Sequence, residues 1–238
     1  LYVTLSGIKI AIFVAFIALA SSYESSLSFS SEDAIDMCQP CVAFADTNLQ
    51  PLYVTLSGNT PPTTCSGLCS TITDAFAQQI CLYLCQSPQP SPSTMFTAVK
   101  RAGPSQDSIY FCESLNQLCP VVSGGAAVIN NTYVTPSTGG VNTIFKVQVI
   151  FTVTSATGTG QVLLTVTPPG TSAKPFSYDY FNEGFAVDSY SAKFEIPMTP
   201  QLPTGNYTGI VQICSGTCGL NNPGEATLAQ SSIKFTVR

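Results

Sequence analysis

The sequence predicts an α+β chain of two domains, a disulfide-stapled helical domain followed by an all-β sandwich. Three observations carry that reading. Eight of the ten cysteines fall between Glu32 and Pro120. Apolar residues recur at helical spacing up to Pro120 and alternate at strand spacing from Ala127 onward. Only 9% of the residues are charged, against roughly 25% in ordinary globular domains, so surface charge does little to hold this chain in solution. The 238 residues carry 8 Lys and Arg against 13 Asp and Glu, a net charge of −5. That balance excludes a nucleic-acid binder, which needs a basic stripe to neutralise phosphates. Histidine is absent. Ser-His-Asp and Cys-His nucleophiles, histidine-ligated zinc and a histidine pH switch are excluded with it.

Ile8 to Ala20 is a thirteen-residue apolar run with one lysine near its start, followed by Ser21 and Ser22. It is shorter than the roughly 20 residues that span a bilayer. It matches the apolar core of a secretory signal, with Ala18-Leu19-Ala20 as the small-residue cleavage site. Residues 1–20 are therefore expected to be a signal peptide and the mature chain to be secreted and extracellular. No second apolar run of spanning length follows, nor a hydrophobic tail that would direct a lipid anchor. Leu1 to Gly7 recurs letter for letter as Leu52 to Gly58 between unmatched flanks. Residues 1–7 are doubtful, and no element is assigned to them.

The helical domain is expected over 32–120. Ser31-Glu32-Asp33 is a capping start, and Ile35, Cys38, Cys41, Val42, Ala45, Leu49 and Leu52 follow at helical spacing. Phe76, Ile80 and Leu84 mark a second stripe. Ser91-Pro92-Ser93-Thr94 caps a third helix with Met95, Phe96 and Val99, and Lys100-Arg101 ends it. Asp107 opens a fourth, with Ile109, Phe111, Cys112, Leu115, Leu118 and Cys119. Such stripes read as core and are no evidence of a lipid site by themselves. Residues 32–120 hold seven acids and two bases, while 121–238 hold five of each. Ser123-Gly124-Gly125-Ala126 reads as the linker.

Cys38 and Cys41 lie three apart on the first helix, and Cys112 and Cys119 seven apart on one face of the last. Cys65/Cys69 and Cys81/Cys85 are i, i+4 pairs separated by eleven residues. They can face each other across a helical hairpin, nested as 65–85 and 69–81, with the outer helices joined as 38–119 and 41–112. Eight cysteines allow 105 pairings, so spacing alone leaves the choice open. A redox reading of Cys38-x-x-Cys41 lacks a βαβ context and an activating environment.

The order C-x2-C, a middle cysteine set, and Ile109-Tyr110-Phe111-Cys112-Glu113-Ser114-Leu115-Asn116-Gln117-Leu118-Cys119-Pro120 resembles a saposin B-type domain. The resemblance implies amphipathic helices held by disulfides that can open or dimerise to bury lipid, and with geometry it supports the pairing above. This chain departs in a last pair one residue wider and in an additional middle bridge. A second link across the hairpin should restrict opening.

The sandwich is expected over 127–238. Phe145, Val147, Val149, Phe151 and Val153 alternate, with the polar Lys146, Gln148 and Thr152 between them, and strands follow at Val162 to Thr167, Phe176 to Tyr180, Ser191 to Ile196, Tyr207 to Cys214 and Ile233 to Val237. Thr157 to Gly160, Pro168 to Gly170, Pro203 to Gly205 and Asn222 to Gly224 read as turns between them. With a leading strand near Ala127 to Val134, this is the seven-strand pattern of an Ig-like sandwich. Cys214 and Cys218 close a small loop on themselves. A saposin B-type unit, a Thr-Gly-Thr-Gly hairpin, a Gly-Asn-Tyr strand running into Cys-x3-Cys and a final apolar strand together resemble the countin-like secreted proteins of social amoebae. That resemblance implies a role in secreted complexes that regulate group size and adhesion.

No enzyme activity, metal or cofactor is expected. Asp33/Asp36 reads as a solvated helix face and Asp179/Glu183 as an isolated acidic pair. The Tyr178 to Gly184 loop lacks the spacing of a calcium loop. The sequons Asn130-Asn131-Thr132 and Asn206-Tyr207-Thr208 are expected to carry N-glycans on Asn130 and Asn206. Thr60 to Thr64 and Ser87 to Thr94 have the composition of O-glycosylated tracts. The expected function is a secreted, non-enzymatic interaction or signalling protein of the countin type. Its expected partners are extracellular proteins or further copies of itself, and a lipid or membrane surface. The alternative is a structural subunit of a glycosylated extracellular filament or coat.

Overall fold

Five helices and eight strands follow one another through the residues that the computed structural model describes, 37–58, 60–86, 92–115, 118–170 and 174–238. The signal peptide, the Ser31 capping start, Ile35 and the Asp33/Asp36 pair lie outside them. Asp36–Arg238 forms one compact unit with two hydrophobic cores, one helical and one between sheets.

Helix α1 (Cys38–Leu56) buries Cys38, Cys41, Val42, Ala45, Leu49, Leu52 and Leu56 along one stripe at helical spacing, which Phe44 widens on one side. Helix α2 (Cys65–Cys69) is capped by Thr64, whose hydroxyl accepts from the Gly67 N–H at 3.1 Å. Helix α3 (Ala75–Gln86) opens after Asp74, which accepts from the Ala77 N–H at 2.7 Å. Its inward face is Cys81, Leu84 and Cys85, and Phe76 is 44% exposed. Of the expected stripe, Leu84 is buried and Ile80 packs on the helical core, while Phe76 departs from it near the helix start. Helix α4 (Pro92–Ala102) starts on a proline, favoured there because that N–H has no helical partner. It ends on Lys100 and Arg101, which suit the carbonyl end of the helix dipole.

Helix α5 (Ser108–Ser114) is shorter than its apolar period predicts. Leu115 leaves helical geometry at ψ 81°, and the Leu118 N–H closes a turn onto the Leu115 carbonyl at 3.3 Å. Pro120 then disfavours helical backbone at Cys119. Cys112 and Cys119 therefore do not share a helix face.

The sandwich pairs a three-stranded sheet, order β1-β3-β6, with a five-stranded sheet, order β2-β8-β7-β4-β5. The strands are β1 (Ala126–Thr135), β2 (Thr138–Gly139), β3 (Ile144–Ser155), β4 (Gly160–Thr167), β5 (Phe176–Asn182), β6 (Asp188–Pro197), β7 (Gly205–Ser215) and β8 (Ala226–Val237). Alternation puts Phe145, Val147, Val149, Phe151 and Val153 inside, where they meet Leu164, Val211 and Phe235 of the other sheet. Tyr207 is buried and stacks on Phe235 at 5.0 Å, and its hydroxyl donates to the Pro203 carbonyl at 2.6 Å. This is a tyrosine corner.

Three sequence expectations change here. An eighth strand, β2, appears because the chain leaves β1 and pairs in parallel with β8 in the other sheet. Thr157 to Gly160 is no hairpin, since β3 and β4 belong to different sheets; it is a crossover, and alternation cannot say which sheet a strand joins. The strand expected over Phe176 to Tyr180 extends to Asn182, paired with β4 along its length, so only Glu183 and Gly184 of the expected Tyr178 to Gly184 loop follow it.

Candidate functional site

Ten cysteines are oxidised: Cys38–Cys119, Cys41–Cys112, Cys65–Cys85, Cys69–Cys81 and Cys214–Cys218, with none free. The first two tie α1 to the α5 region, the next two clamp α2 on α3, and the last closes a loop at the end of β7. The Cys38 sulfur also lies 3.7 Å from the Thr159 hydroxyl, so this staple touches the sandwich crossover.

The chemistry concentrates at the joint between the two cores. Asp107 caps α5, accepting from the Tyr110 N–H at 3.0 Å, and is fully buried. Its Oδ1 also accepts from the Thr217 hydroxyl at 2.7 Å, and its Oδ2 from Asn222 Nδ2 at 2.6 Å. Both donors belong to the β7–β8 connection, 110 and 115 residues further along the chain. Asn222 Nδ2 reaches Ser105 as well, at 3.3 Å, and its backbone N–H donates to Glu225 at 2.6 Å. A helix cap thus doubles as the bolt between domains. Beside it the Thr159 N–H donates to the Pro120 carbonyl at 2.8 Å and the Gly216 N–H to the Thr159 carbonyl at 2.8 Å. Gly158 is needed there, because a Cβ would sit 2.6 Å from the Val122 nitrogen and 2.7 Å from the Pro120 oxygen. Phe181 of β5 packs on the helical core.

Asp107 and Glu225 share Asn222 at this joint, and Glu113 of α5 lies within reach of the charge of Asp107. Burial, aided by the charge of Asp107, pushes the Glu113 carboxyl up to about 7. Burial and a hydrogen bond shared with Asp107 push Glu225 up to about 8, against the Asn222 donors that favour its charged form. Both shifts favour the protonated form of these carboxyls in the folded chain. Among the described residues no group of three His, Cys, Asp or Glu is arranged to hold a metal ion.

The other candidate residues lie apart from the joint. Asp179 is exposed on β5 opposite Leu163, and Glu183 follows the strand. Asn130 is exposed on β1 and accepts from the Thr152 hydroxyl at 2.9 Å; Asn206 is exposed on β7 and accepts from Thr236 at 3.0 Å. Sequence reading missed Thr217, Asn222 and Glu225. Asn222-Pro223-Gly224 reads only as a turn, and nothing local marks a partner a hundred residues away.

Comparison with known proteins completes the picture. The countin N-terminal domain matches residues 36–116, and the countin C-terminal domain matches 127–238. Countin-2 of Dictyostelium discoideum is 29% identical over 228 residues, covering 94% of this chain and 85% of that protein. Countin-3 of the same organism is 27% identical over 221 residues, covering 90% and 93%. Among solved structures, the C-terminal domain of wzt is 12% identical, with a TM-score of 0.40 over 50% of this chain and 81% of that one. Both countin domains are present and in family order, so this chain is a countin-like protein.

Proposed function

We propose that this protein works outside the cell as a non-enzymatic interaction or signalling molecule, in secreted complexes that control group size and adhesion. The observation that carries the reading is a chain with both countin domains and ten cysteines in five bridges. Disulfides at this density persist in oxidising compartments. The polar joint suits such a role, because it presents two domains to a partner as one body. Within the proposal the helical domain is of saposin B type, supported by the bridges between its outer helices. The sandwich is Ig-like, supported by the Tyr207 corner. Contact with lipid through the helical domain is tested separately, by flotation with anionic vesicles at acidic and neutral pH.

The test of function adds the chain, purified from culture medium, to aggregating cells of its own species, with native mass measured in parallel. A dose-dependent change in cell adhesion or aggregate size supports the proposal. Cells that ignore a correctly folded chain overturn it, and a polymer of many copies that leaves cells unaffected favours the structural subunit instead.

A further inference from the structure

We infer that Asn130 receives its glycan on the unfolded chain, before β1 docks into the sandwich, and that the folded domain no longer offers it as an acceptor. The inference rests on the secretory reading above and adds the order of events. An N-glycosylation acceptor needs the asparagine amide and a hydroxyl two residues on. In the pairing of β1 with β3, the register shifts between Ile129 and Asn131, which leaves Asn130 as the extra residue of a bulge. Asn130 and Asn131 are both exposed as a result, while Thr132 turns inward opposite the buried Val149. Its hydroxyl oxygen is buried and has no hydrogen-bond partner. The sequon is thus split: its amide is at the surface and its hydroxyl is under the sheet. At Asn206 the geometry differs, with Asn206 and Thr208 both exposed and only Tyr207 turned inward.

Thr132 is half-buried on an edge strand, where threonine and valine are both favoured as β-branched residues. A buried hydroxyl without a partner destabilises the fold, and valine has the same shape without that penalty. Modification supplies a reason for the threonine, provided that it happens before the hydroxyl is buried. In the transfer, the Asn130 amide nitrogen attacks the anomeric carbon of an oligosaccharide carried on a lipid diphosphate. The C–N bond forms, the C–O bond to phosphate breaks, one amide proton is lost and the lipid diphosphate leaves. The glycan then stands on an edge strand of the three-stranded sheet, where it obstructs the addition of a strand from another chain.

The test uses the full chain made without glycans and with its disulfides formed, offered to oligosaccharyltransferase with a lipid-linked oligosaccharide. A reduced, unfolded portion runs in parallel, and protein from the organism's medium is mapped for occupancy. We expect transfer at Asn130 on the unfolded chain, none on the folded chain, and an occupied Asn130 in the secreted protein. Thr132→Ser should keep occupancy in the cell and Thr132→Val should abolish it. Equal transfer to folded and unfolded chain overturns the inference. So does a secreted protein glycosylated at Asn206 and bare at Asn130, which leaves the secretory reading standing. A chain found only in the cytosol and bare at both positions defeats the secretory reading itself, and this inference with it.

Discussion

Replacing Asp107 by alanine should weaken the helical domain and its attachment to the sandwich together. The side chain is fully buried and accepts from Tyr110, Thr217 and Asn222. Losing the cap of α5 costs about 1 kcal/mol. Hydrogen bonds to a charged acceptor contribute about 1.5–3 kcal/mol each, and two of the three cross the joint. Part of that is recovered, since Thr217 and Asn222 are half-buried and reach water once released. Removing a buried carboxylate also relieves its desolvation. The net loss is about 3 kcal/mol, a fall of about 6–12 °C in melting temperature for a unit of this size. Scanning calorimetry on the oxidised chain reads it directly, and limited proteolysis should show earlier cleavage between Pro120 and Ala126. A melting temperature within about 2 °C of the parent, with unchanged proteolysis, would refute the assignment of Asp107 as the bolt between domains.

The same joint fixes the sign of the pH dependence. Glu113 and Glu225 bind their protons more tightly in the folded chain, so their contribution is complete below pH 4.5 and is lost as pH rises through about 7 and about 8. Guanidinium unfolding across that range should show stability falling toward alkaline pH, and Glu225→Gln should flatten the upper part of the curve. Gly158→Ala should cost about 1–3 kcal/mol by overpacking, because its Cβ meets backbone atoms of Pro120 and Val122; urea denaturation checks it. Thr132→Val, made in a chain without glycans, should stabilise by about 1 kcal/mol by removing a buried hydroxyl that bonds to nothing, again read by urea denaturation. Deleting Cys38–Cys119, which spans 81 residues, should cost about 4.5 kcal/mol, against about 2 kcal/mol for Cys214–Cys218, which spans 4; melting of the two double-alanine variants decides the order.

Local pattern was legible in the sequence wherever one face of one element decides the outcome. Phe145 to Val153 alternates because β3 is buried on one side, and Asp107 reads as a cap because a carboxylate before an apolar period is one. The period misled at Phe76, which stays exposed in the first turn of its helix while Ile80 and Leu84 meet the core, and at Leu118, where the pattern continues past the helix end set near Leu115. Topology was less legible. Thr157 to Gly160 has turn composition, but composition does not distinguish a hairpin from a crossover between sheets. The joint itself was hidden. Asp107 and Asn222 each have a sufficient local explanation, and only the folded chain brings them to 2.6 Å.

A countin-like chain that works outside the cell must reach an oxidising compartment and be stapled there by its five bridges. Peptide mapping without reduction, on protein recovered from the culture medium, tests it most directly. All ten cysteines should be found paired as 38–119, 41–112, 65–85, 69–81 and 214–218. Free thiols, or Cys38 joined to Cys41, would contradict it.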